Sequence, residues 1–243
     1  MVDSLSFADL PDDVIGFKYP LPCLARAIRR GGTGPIKIVA MGSSSTAGRA
    51  DVVPFPYWLE MYLRAPFHDQ NNDLRIDVIN RGIGNQEAKE ELTRFSSDIF
   101  ALEPVMVIWQ VGTNAVFHSD RYNIDDIAAD IETGLKDLRA KSGQMDVMLI
   151  DPQYVPAMLC DGKAELSERM VKLISEKAEL YGVSVFHRWA LMRHWHVHNN
   201  ISFERMVDPT DGDKLHQSCA STQRLSRGLC DTILKAVAKV PTT

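Results

Sequence analysis

The stretch from Ile36 to Gly48 constrains the fold more than any other part of the chain. It begins with a short apolar run rich in β-branched residues and then changes abruptly to Gly42, three serines and other small residues. An apolar run that stops at glycine and small polar residues predicts a buried strand leading into a tight turn. Open α/β sheets bind ligands at the carboxyl ends of their strands, so a serine hydroxyl is well placed for chemistry here. Because a hydroxyl alone is a weak nucleophile, it needs a nearby base that a third group orients.

The order of the predicted elements indicates the fold class. Apolar runs with β-branched residues predict strands over 36–41, 74–80, 105–111, 147–150 and 183–186. Apolar residues at helical spacing predict helices over 56–64, 86–102, 125–142, 166–181, 187–198 and 219–238. Strands that alternate with helices in this way are typical of an α/β protein whose mostly parallel sheet has helices on both faces.

The chain is expected to form a single domain over residues 1–243. Its 243 residues suit one α/β domain, no linker rich in proline, glycine or serine divides it, and no internal repeat is visible. Residues 1–33 have a mixed character before the first strand. We expect them to form an N-terminal arm packed on the domain.

Composition narrows the partners that the protein can have. The net charge of −5 and the pI of about 5.8 argue against nucleic acid as the main partner. No stretch is apolar enough to span a membrane and no signal peptide is visible, so the cytoplasm is the default expectation. A periplasmic or secreted protein whose leader has been removed would look the same. The oligomeric state stays open, and a homo-oligomer is compatible with the sequence.

The spacing of cysteines and histidines disfavours a metal site. The four cysteines form no C-x-x-C pair, and we expect them to be buried free thiols. His194 and His198 would share a helix face, but His196 would not, and no acidic residue stands between them as in an H-E-x-x-H zinc site. We therefore expect no metal and no cofactor, and a solvated or interfacial place for these histidines.

Three predicted strands end in small polar turns that could form one site. These turns are Gly42-Ser43-Ser44, Gly82-Ile83-Gly84-Asn85 and Gly112-Thr113-Asn114. In a parallel sheet the three turns lie along one edge. The Asn114 amide and the backbone N–H groups of Ser44 and of the 84–85 turn could stabilise an oxyanion there.

A base and its orienting carboxylate are found near the C-terminus. Asp213 precedes His216 by three residues, so its carboxylate could turn back to hold one imidazole nitrogen. That contact would fix the tautomer and leave the other nitrogen free to take a proton from serine. Asp211 is the alternative partner of His216. With a hydroxyl, a base, a carboxylate and oxyanion donors, the set is complete for acyl transfer.

These motifs, in this order, resemble those of the SGNH (GDSL-type) hydrolases. The resemblance covers about residues 36–238 and rests on Gly42-x-Ser44-x-Thr46-x-Gly48, the glycine turn at 82–85, Gly112-x-Asn114 and Asp213-x-x-His216. It implies a flavodoxin-like, three-layer α/β/α fold with a mostly parallel central sheet. It also implies the serine-dependent hydrolysis of esters.

The resemblance implies a role for each of these residues. Ser44 is the expected nucleophile, His216 the base and Asp213 the carboxylate that orients the base. The expected oxyanion hole consists of the Ser44 backbone N–H, the turn at 84–85 and the Asn114 side chain.

The chain departs from the family pattern at three positions. Ser43 stands where the family usually has Asp, and Ala115 stands where an Asp often follows the asparagine. The oxyanion glycine of the family falls on Asn85, with Gly84 one step away. A backbone N–H serves equally from Asn85 if the conformation is allowed, and asparagine tolerates left-handed geometry better than most residues. Either residue of this turn remains a candidate donor.

Two functional hypotheses follow from the sequence. The preferred one is a serine esterase that hydrolyses small acyl esters, acetyl esters foremost and carbohydrate esters among them, through an acyl-enzyme intermediate. Its partner would be a small-molecule ester. The competing hypothesis is a non-catalytic ligand-binding protein that retains the SGNH fold, and its only support is the pair of departures at Ser43 and Asn85.

Overall fold

A single parallel sheet organises the protein. The computed structural model describes residues 12–31, 34–49, 51–67, 74–141 and 143–242. Within these residues the strands are β1 (Ile36–Gly42), β2 (Ile76–Gly82), β3 (Met106–Gln110), β4 (Asp146–Ile150) and β5 (Ser184–Phe186). All neighbouring strands pair in parallel, in the order β2-β1-β3-β4-β5. This is the flavodoxin-like order, and it confirms the predicted α/β class.

Helices fill the connections between the strands. In the described part of the chain the α-helices are α1 (Asp12–Ile15), α2 (Pro22–Arg30), α3 (Ser44–Ala47), α4 (Phe55–Arg64), α5 (Ala88–Leu92), α6 (Phe95–Asp98), α7 (Thr113–Phe117), α8 (Ile124–Arg139), α9 (Lys163–Leu180), α10 (Arg188–Val197), α11 (Phe203–Met206) and α12 (Cys219–Ala238). Short 3-10 turns occupy Ala65–Phe67, Phe100–Leu102 and Pro156–Met158.

The helices form two layers because the crossovers run in opposite directions. The chain moves from β1 outward to β2, then returns past β1 to β3, β4 and β5. Since crossovers between parallel strands are right-handed, the helix that follows β1 lies on one face and those that follow β2, β3 and β4 lie on the other. The helix contacts agree, because α4 packs on α12 while α8 packs on α5 and α9. The result is the predicted three-layer α/β/α arrangement.

The predicted continuous helix over 86–102 is wrong. The chain forms α5, α6 and the 3-10 turn Phe100–Leu102 there instead. Arg94 lies at the break between α5 and α6, and its guanidinium donates to the Arg81 carbonyl at 2.7 Å and to the Gly42 carbonyl at 3.3 Å. The segment therefore bends in a way that brings this cation to the ends of β1 and β2.

The core is centred on β3, whose residues are all buried. The Trp109 ring lies edge-on to Phe95, with ring centroids 5.1 Å apart, and its indole N–H donates to Glu91 at 2.6 Å. Helix α8 contacts the same ring at Gly134, where a Cβ would lie 2.4 Å from the Trp109 ring. Glycine at this position lets α8 pack closely on the sheet.

The described part of the predicted N-terminal arm, residues 12–31, packs on the domain through two helices. Helix α1 contacts α10, and α2 contacts α12, β1 and β4. Asp146, buried at the start of β4, accepts the backbone N–H groups of Cys23 and Leu24 at 3.2 and 2.8 Å. These bonds tie the first turn of α2 to the sheet. The rest of the arm, residues 1–11 and 32–33, lies outside the described residues.

Candidate active site

Three strand ends meet at the carboxyl edge of the sheet. β1 and β2 end at Gly42 and Gly82, which pair directly with each other, and β3 lies on the other side of β1. In this strand order the chain reverses direction between β1 and β3, and α/β sheets bind ligands in the crevice that forms there. The sheet therefore brings the three predicted turns to the place where a ligand is expected.

The turn after β1 is tightly built around Gly42. A Cβ at Gly42 would lie 2.4 Å from Thr46 Oγ1, so only glycine fits without a shift. Behind the turn, the hydroxyls of the buried Ser43 and Thr46 donate to Gln110 Oε1 at 3.3 and 3.2 Å. Ser43 thus faces the core, whereas Ser44 is partly exposed as the first residue of α3. The first N–H groups of a helix lack intrahelical acceptors, which leaves the Ser44 N–H open to a ligand.

Ser44 and His216, the predicted nucleophile and base, lie together. Ser44 Oγ is 2.9 Å from His216 Nε2, and His216 Nδ1 is 2.8 Å from Asp211 Oδ2. An ionised carboxylate only accepts hydrogen bonds, so we assign the ring proton to Nδ1. In this tautomer Nε2 can accept the Ser44 proton.

The carboxylate on His216 is Asp211, which corrects the prediction of Asp213. Asp211 is fully buried, and its Oδ2 also accepts the backbone N–H groups of Leu215 at 2.9 Å and His216 at 2.7 Å. Asp213 is exposed. The spacing argument required the chain to turn back over 213–216, whereas the loop wraps around Asp211, with Lys214 at a φ of 56°. The alternative that the sequence left open is therefore the observed contact.

Arg49 is a further member of the site that the sequence analysis missed. Its Nη1 donates to Asp211 Oδ1 and lies 3.0 Å from His216 Nδ1. Burial alone would raise the pKa of Asp211, but the bonds from His216 and then from Arg49 outweigh that effect and hold its pKa well below the ordinary value. Asp211 therefore stays ionised at neutral pH. No local motif marks Arg49, because its partner lies far away in the sequence.

The turn after β2 lies against Ser44. A Cβ at Gly84 would lie 3.9 Å from Ser44 Cβ, and the Ile83 N–H donates to the Gly42 carbonyl at 2.9 Å. Asn85 has a φ of 63°, the left-handed conformation that glycine adopts freely and asparagine tolerates. The position where the family has glycine therefore keeps a glycine-like backbone.

Asn114 reaches the same turn from the end of β3. It lies in the first turn of α7 with 2% of its surface exposed, and its Nδ2 donates to the Gln86 carbonyl at 2.8 Å. A carboxamide NH₂ carries two N–H donors, and the second is not used by this bond. The predicted oxyanion donors thus lie along one edge of the sheet. Ser44 lies beside Gly84, and Asn114 bonds to Gln86, the residue after Asn85.

A buried chain of hydrogen bonds connects the turns after β1 and β3 with the loop that carries His216. Gln110 Nε2 donates to Thr113 Oγ1 at 3.1 Å, Thr113 donates to Gln153 Oε1 at 3.1 Å, and Gln153 Nε2 donates to the Leu215 carbonyl at 3.2 Å. Gln110 also holds the Ser43 hydroxyl. No sequence motif marks this network, since its members are single polar residues far apart in the chain.

A small cleft opens beside the Ser44–His216 pair. Its volume of about 20 Å³ is little more than one water molecule requires. The residues that line it are Ser44, Ser45, Gly48, Arg49, Val52, Pro54, His216, Gln217 and Thr222.

The histidines of α10 and the cysteines lie apart from this site. The His194 and His198 rings pack with centroids 4.9 Å apart, while His196 stacks on Phe203. Among the described residues, no group of three or more His, Cys, Asp or Glu side chains is placed to hold a metal ion. All four cysteines are unpaired, but only two are buried as expected, because the thiols at 160 and 219 are exposed.

Sequence comparison identifies the family. A profile of the Non-GDSL lipase-like family matches residues 7–239. The chain belongs to the Non-GDSL lipase-like family. This membership confirms the resemblance to the SGNH hydrolases and supports the predicted class, an ester hydrolase. The name of the family also agrees with the departure at Ser43, where the GDSL pattern has Asp. No curated protein sequence matches this chain.

Solved structures of similar fold are hydrolases of distant sequence. An α/β hydrolase from the metagenome of Lake Arreo, Spain, has 19% identity and a TM-score of 0.62, covering 87% of this chain and 98% of its own. An acetylxylan esterase from Geobacillus stearothermophilus has 18% identity and a TM-score of 0.65, covering 86% and 96%. A lipase/acylhydrolase from Enterococcus faecalis has 18% identity and a TM-score of 0.65, covering 85% and 98%. At these identities the likeness shows the fold.

Two aspartates of one loop make a matched test of the His216 partner. Asp211→Asn should lower kcat for ester hydrolysis by about 10⁴-fold, since the amide can no longer hold the productive tautomer. Asp213→Asn, which alters an exposed side chain, should keep kcat within about twofold. Steady-state kinetics with circular dichroism as a folding control measure both. Wild-type kcat in Asp211→Asn together with loss in Asp213→Asn would restore the original prediction.

The backbone conformation of Asn85 gives a second test. Asn85→Gly should keep most of the activity, because glycine adopts a φ of 63° without strain. Asn85→Val should lower kcat at least about tenfold, because a β-branched residue is strongly disfavoured in the left-handed region. The position is exposed, so neither substitution removes core packing, but Asn85→Val should lower the free energy of unfolding by about 1–2 kcal/mol through left-handed backbone strain. An inactive Asn85→Gly variant would instead show that the Asn85 side chain itself is required.

Proposed function

We propose that this protein is a serine esterase that hydrolyses small acyl esters, acetyl esters foremost, through an acyl-enzyme intermediate on Ser44. The observation that carries the proposal is the 2.9 Å contact between Ser44 Oγ and His216 Nε2, with a buried carboxylate on the other ring nitrogen. Nucleophile, base and orienting group within hydrogen-bond reach are the signature of an activated serine.

The first half of the reaction acylates Ser44. Ser44 Oγ attacks the ester carbonyl carbon while His216 Nε2 takes the hydroxyl proton, and Asp211 stabilises the imidazolium. The carbonyl oxygen becomes an oxyanion that accepts hydrogen bonds from the Ser44 N–H, the turn at 84–85 and Asn114 Nδ2. When the tetrahedral intermediate collapses, the C–O bond to the alcohol breaks and His216 returns the proton to the leaving oxygen. The acyl group is then held on Ser44.

The second half releases the acid with water as the nucleophile. His216 takes a proton from a water molecule that attacks the acyl carbonyl, and the same donors hold the second oxyanion. Collapse breaks the bond to Ser44 Oγ, which regains its proton from His216. The net reaction consumes one ester and one water and gives one acid and one alcohol. Apart from the ester and water, every group in these steps belongs to this chain.

The small cleft favours a short acyl chain. With a volume of about 20 Å³ beside Ser44 and His216, it suits an acetyl methyl group better than an extended alkyl chain. The fold relative from Geobacillus stearothermophilus is an acetylxylan esterase, which makes acetyl groups on carbohydrate a reasonable class to test. For the natural alcohol we therefore propose a carbohydrate hydroxyl.

The competing proposal is a non-catalytic binding protein. Its only support was the pair of departures from the family pattern at Ser43 and Asn85, and neither favours it. The Ser43 hydroxyl has a buried acceptor on Gln110, and Asn85 adopts the glycine-like conformation. Neither departure removes a group that the reaction needs. An esterase is therefore the better proposal.

Hydrolysis of p-nitrophenyl esters tests the proposal directly. Wild-type protein should release a burst of p-nitrophenol from the acetyl ester, and Ser44→Ala should lower kcat by about 10⁴-fold or more. The control Ser96→Ala, which removes an exposed hydroxyl on α6, should match the wild type. The acetyl ester should exceed the octanoyl ester at least about tenfold in kcat/KM, a difference of about 1.4 kcal/mol.

Two results would contradict this account. If no ester is hydrolysed, or if Ser44→Ala keeps the wild-type rate, the chain is not an esterase of this kind. A preference for the octanoyl ester would contradict only the assignment of a short acyl group.

A further inference from the structure

A buried glutamate lies directly behind the proposed oxyanion donors. Glu87 has 2% of its surface exposed and follows the turn after β2 by two residues. Its Oε1 accepts the Gly112 N–H at 2.8 Å, and its Oε2 accepts the Ala115 N–H at 2.9 Å. Both oxygens of one carboxyl group therefore hold the start of α7, which carries Asn114.

The residue before Glu87 holds the side chain of the same asparagine. The Gln86 carbonyl accepts Asn114 Nδ2 at 2.8 Å. One short segment thus fixes Asn114 twice: Glu87 holds the backbone around it, and Gln86 holds its amide. Because this segment continues directly from the turn at 84–85, it also connects the two sets of proposed donors.

We propose that Glu87 is a positioning residue that aims the Asn114 amide at the oxyanion of the substrate. The inference rests on the proposed esterase function. Preorganised donors stabilise a transition state only if they are held in place before the reaction begins. Glu87 supplies this restraint, because displacing α7 would break hydrogen bonds at both of its carboxyl oxygens.

A purely structural role, as the N-cap of α5, explains only part of this arrangement. Glu87 Oε1 also accepts the Ala88 N–H at 3.0 Å, and the Glu87 N–H donates to Glu90 at 3.1 Å, which together cap α5. N-cap side chains accept from their own helix. Glu87 reaches beyond α5 to a segment 25 residues away in the sequence. Burial raises the pKa of Glu87, and the backbone N–H groups of Gly112, Ala115 and Ala88 oppose this rise.

Glu91 provides a matched control on the same helix. It is also a buried glutamate, with 1% of its surface exposed, but its Oε2 accepts the Trp109 indole N–H in the core. Burial, and then the nearby charge of Glu87, raises the pKa of Glu91. Glutamine keeps this contact, since the amide oxygen can accept the same indole N–H.

The test measures kcat and KM on p-nitrophenyl acetate in four variants. Glu87→Gln places an NH₂ group where one carboxyl oxygen accepted an N–H, and it should lower kcat about 10- to 100-fold with KM within about twofold. Glu91→Gln should stay within about threefold of the wild type in both constants. Asn114→Ala should lower kcat strongly, and the double variant Glu87→Gln/Asn114→Ala should be at most about threefold slower than Asn114→Ala alone. Losses that fail to multiply show that the two residues act through one interaction.

Other outcomes would overturn the inference. The role fails if Glu87→Gln keeps the kcat of the wild type, if it loses no more than Glu91→Gln, or if its loss multiplies with that of Asn114→Ala. Each of these results would leave Glu87 as a helix cap only. If Glu87→Gln does not fold, Glu87→Asp takes its place: it keeps two acceptor oxygens but withdraws them by one methylene. That variant should lower kcat with KM unchanged, and a wild-type kcat would refute the role. A wild-type protein without esterase activity would overturn the proposed function as well.

Discussion

The site depends on the close approach of α3 to the ends of β1 and β2. Gly42 and Gly82 are paired across these strands, and a Cβ at Gly82 would lie 2.2 Å from the Ala47 backbone nitrogen. A side chain at either glycine would push α3 away from the edge of the sheet. Because Ser44 begins α3, its distance from His216 and from the turn after β2 follows from these two glycines.

Buried polar groups set the relative positions of the turns. Gln110, Thr113 and Gln153 link the turn after β1 to the loop that carries His216, and Glu87 links the turn after β2 to α7. Each of these side chains is buried, and a buried polar group left without a partner is strongly destabilising. The network therefore favours one arrangement of the proposed catalytic groups over alternatives that apolar packing alone would allow.

The fold could be predicted from local patterns, whereas the details of the site could not. Apolar runs that end at small polar turns mark the first three strands, and the alternation of strands with helices determines the class and the edge of the sheet on which Ser44 and Asn114 lie. The same reasoning was wrong where long-range bonds occur: Arg94, at the break in the helix predicted over 86–102, donates to carbonyls at the ends of β1 and β2. The spacing of Asp213 from His216 carried no information on how a loop wraps around Asp211. Hydrogen bonds between residues far apart in the sequence produce no periodic pattern from which they could be predicted.

A crystal structure of the protein inhibited by a small p-nitrophenyl phosphonate tests the central claim most directly. The phosphonate should be bonded to Ser44 Oγ, because its tetrahedral phosphorus imitates the acylation intermediate. Its oxygen should lie about 2.7–3.1 Å from the Ser44 N–H, from an N–H of the turn at 84–85 and from Asn114 Nδ2. An adduct on another residue, or a phosphonyl oxygen directed away from Asn114 and this turn, would contradict the account.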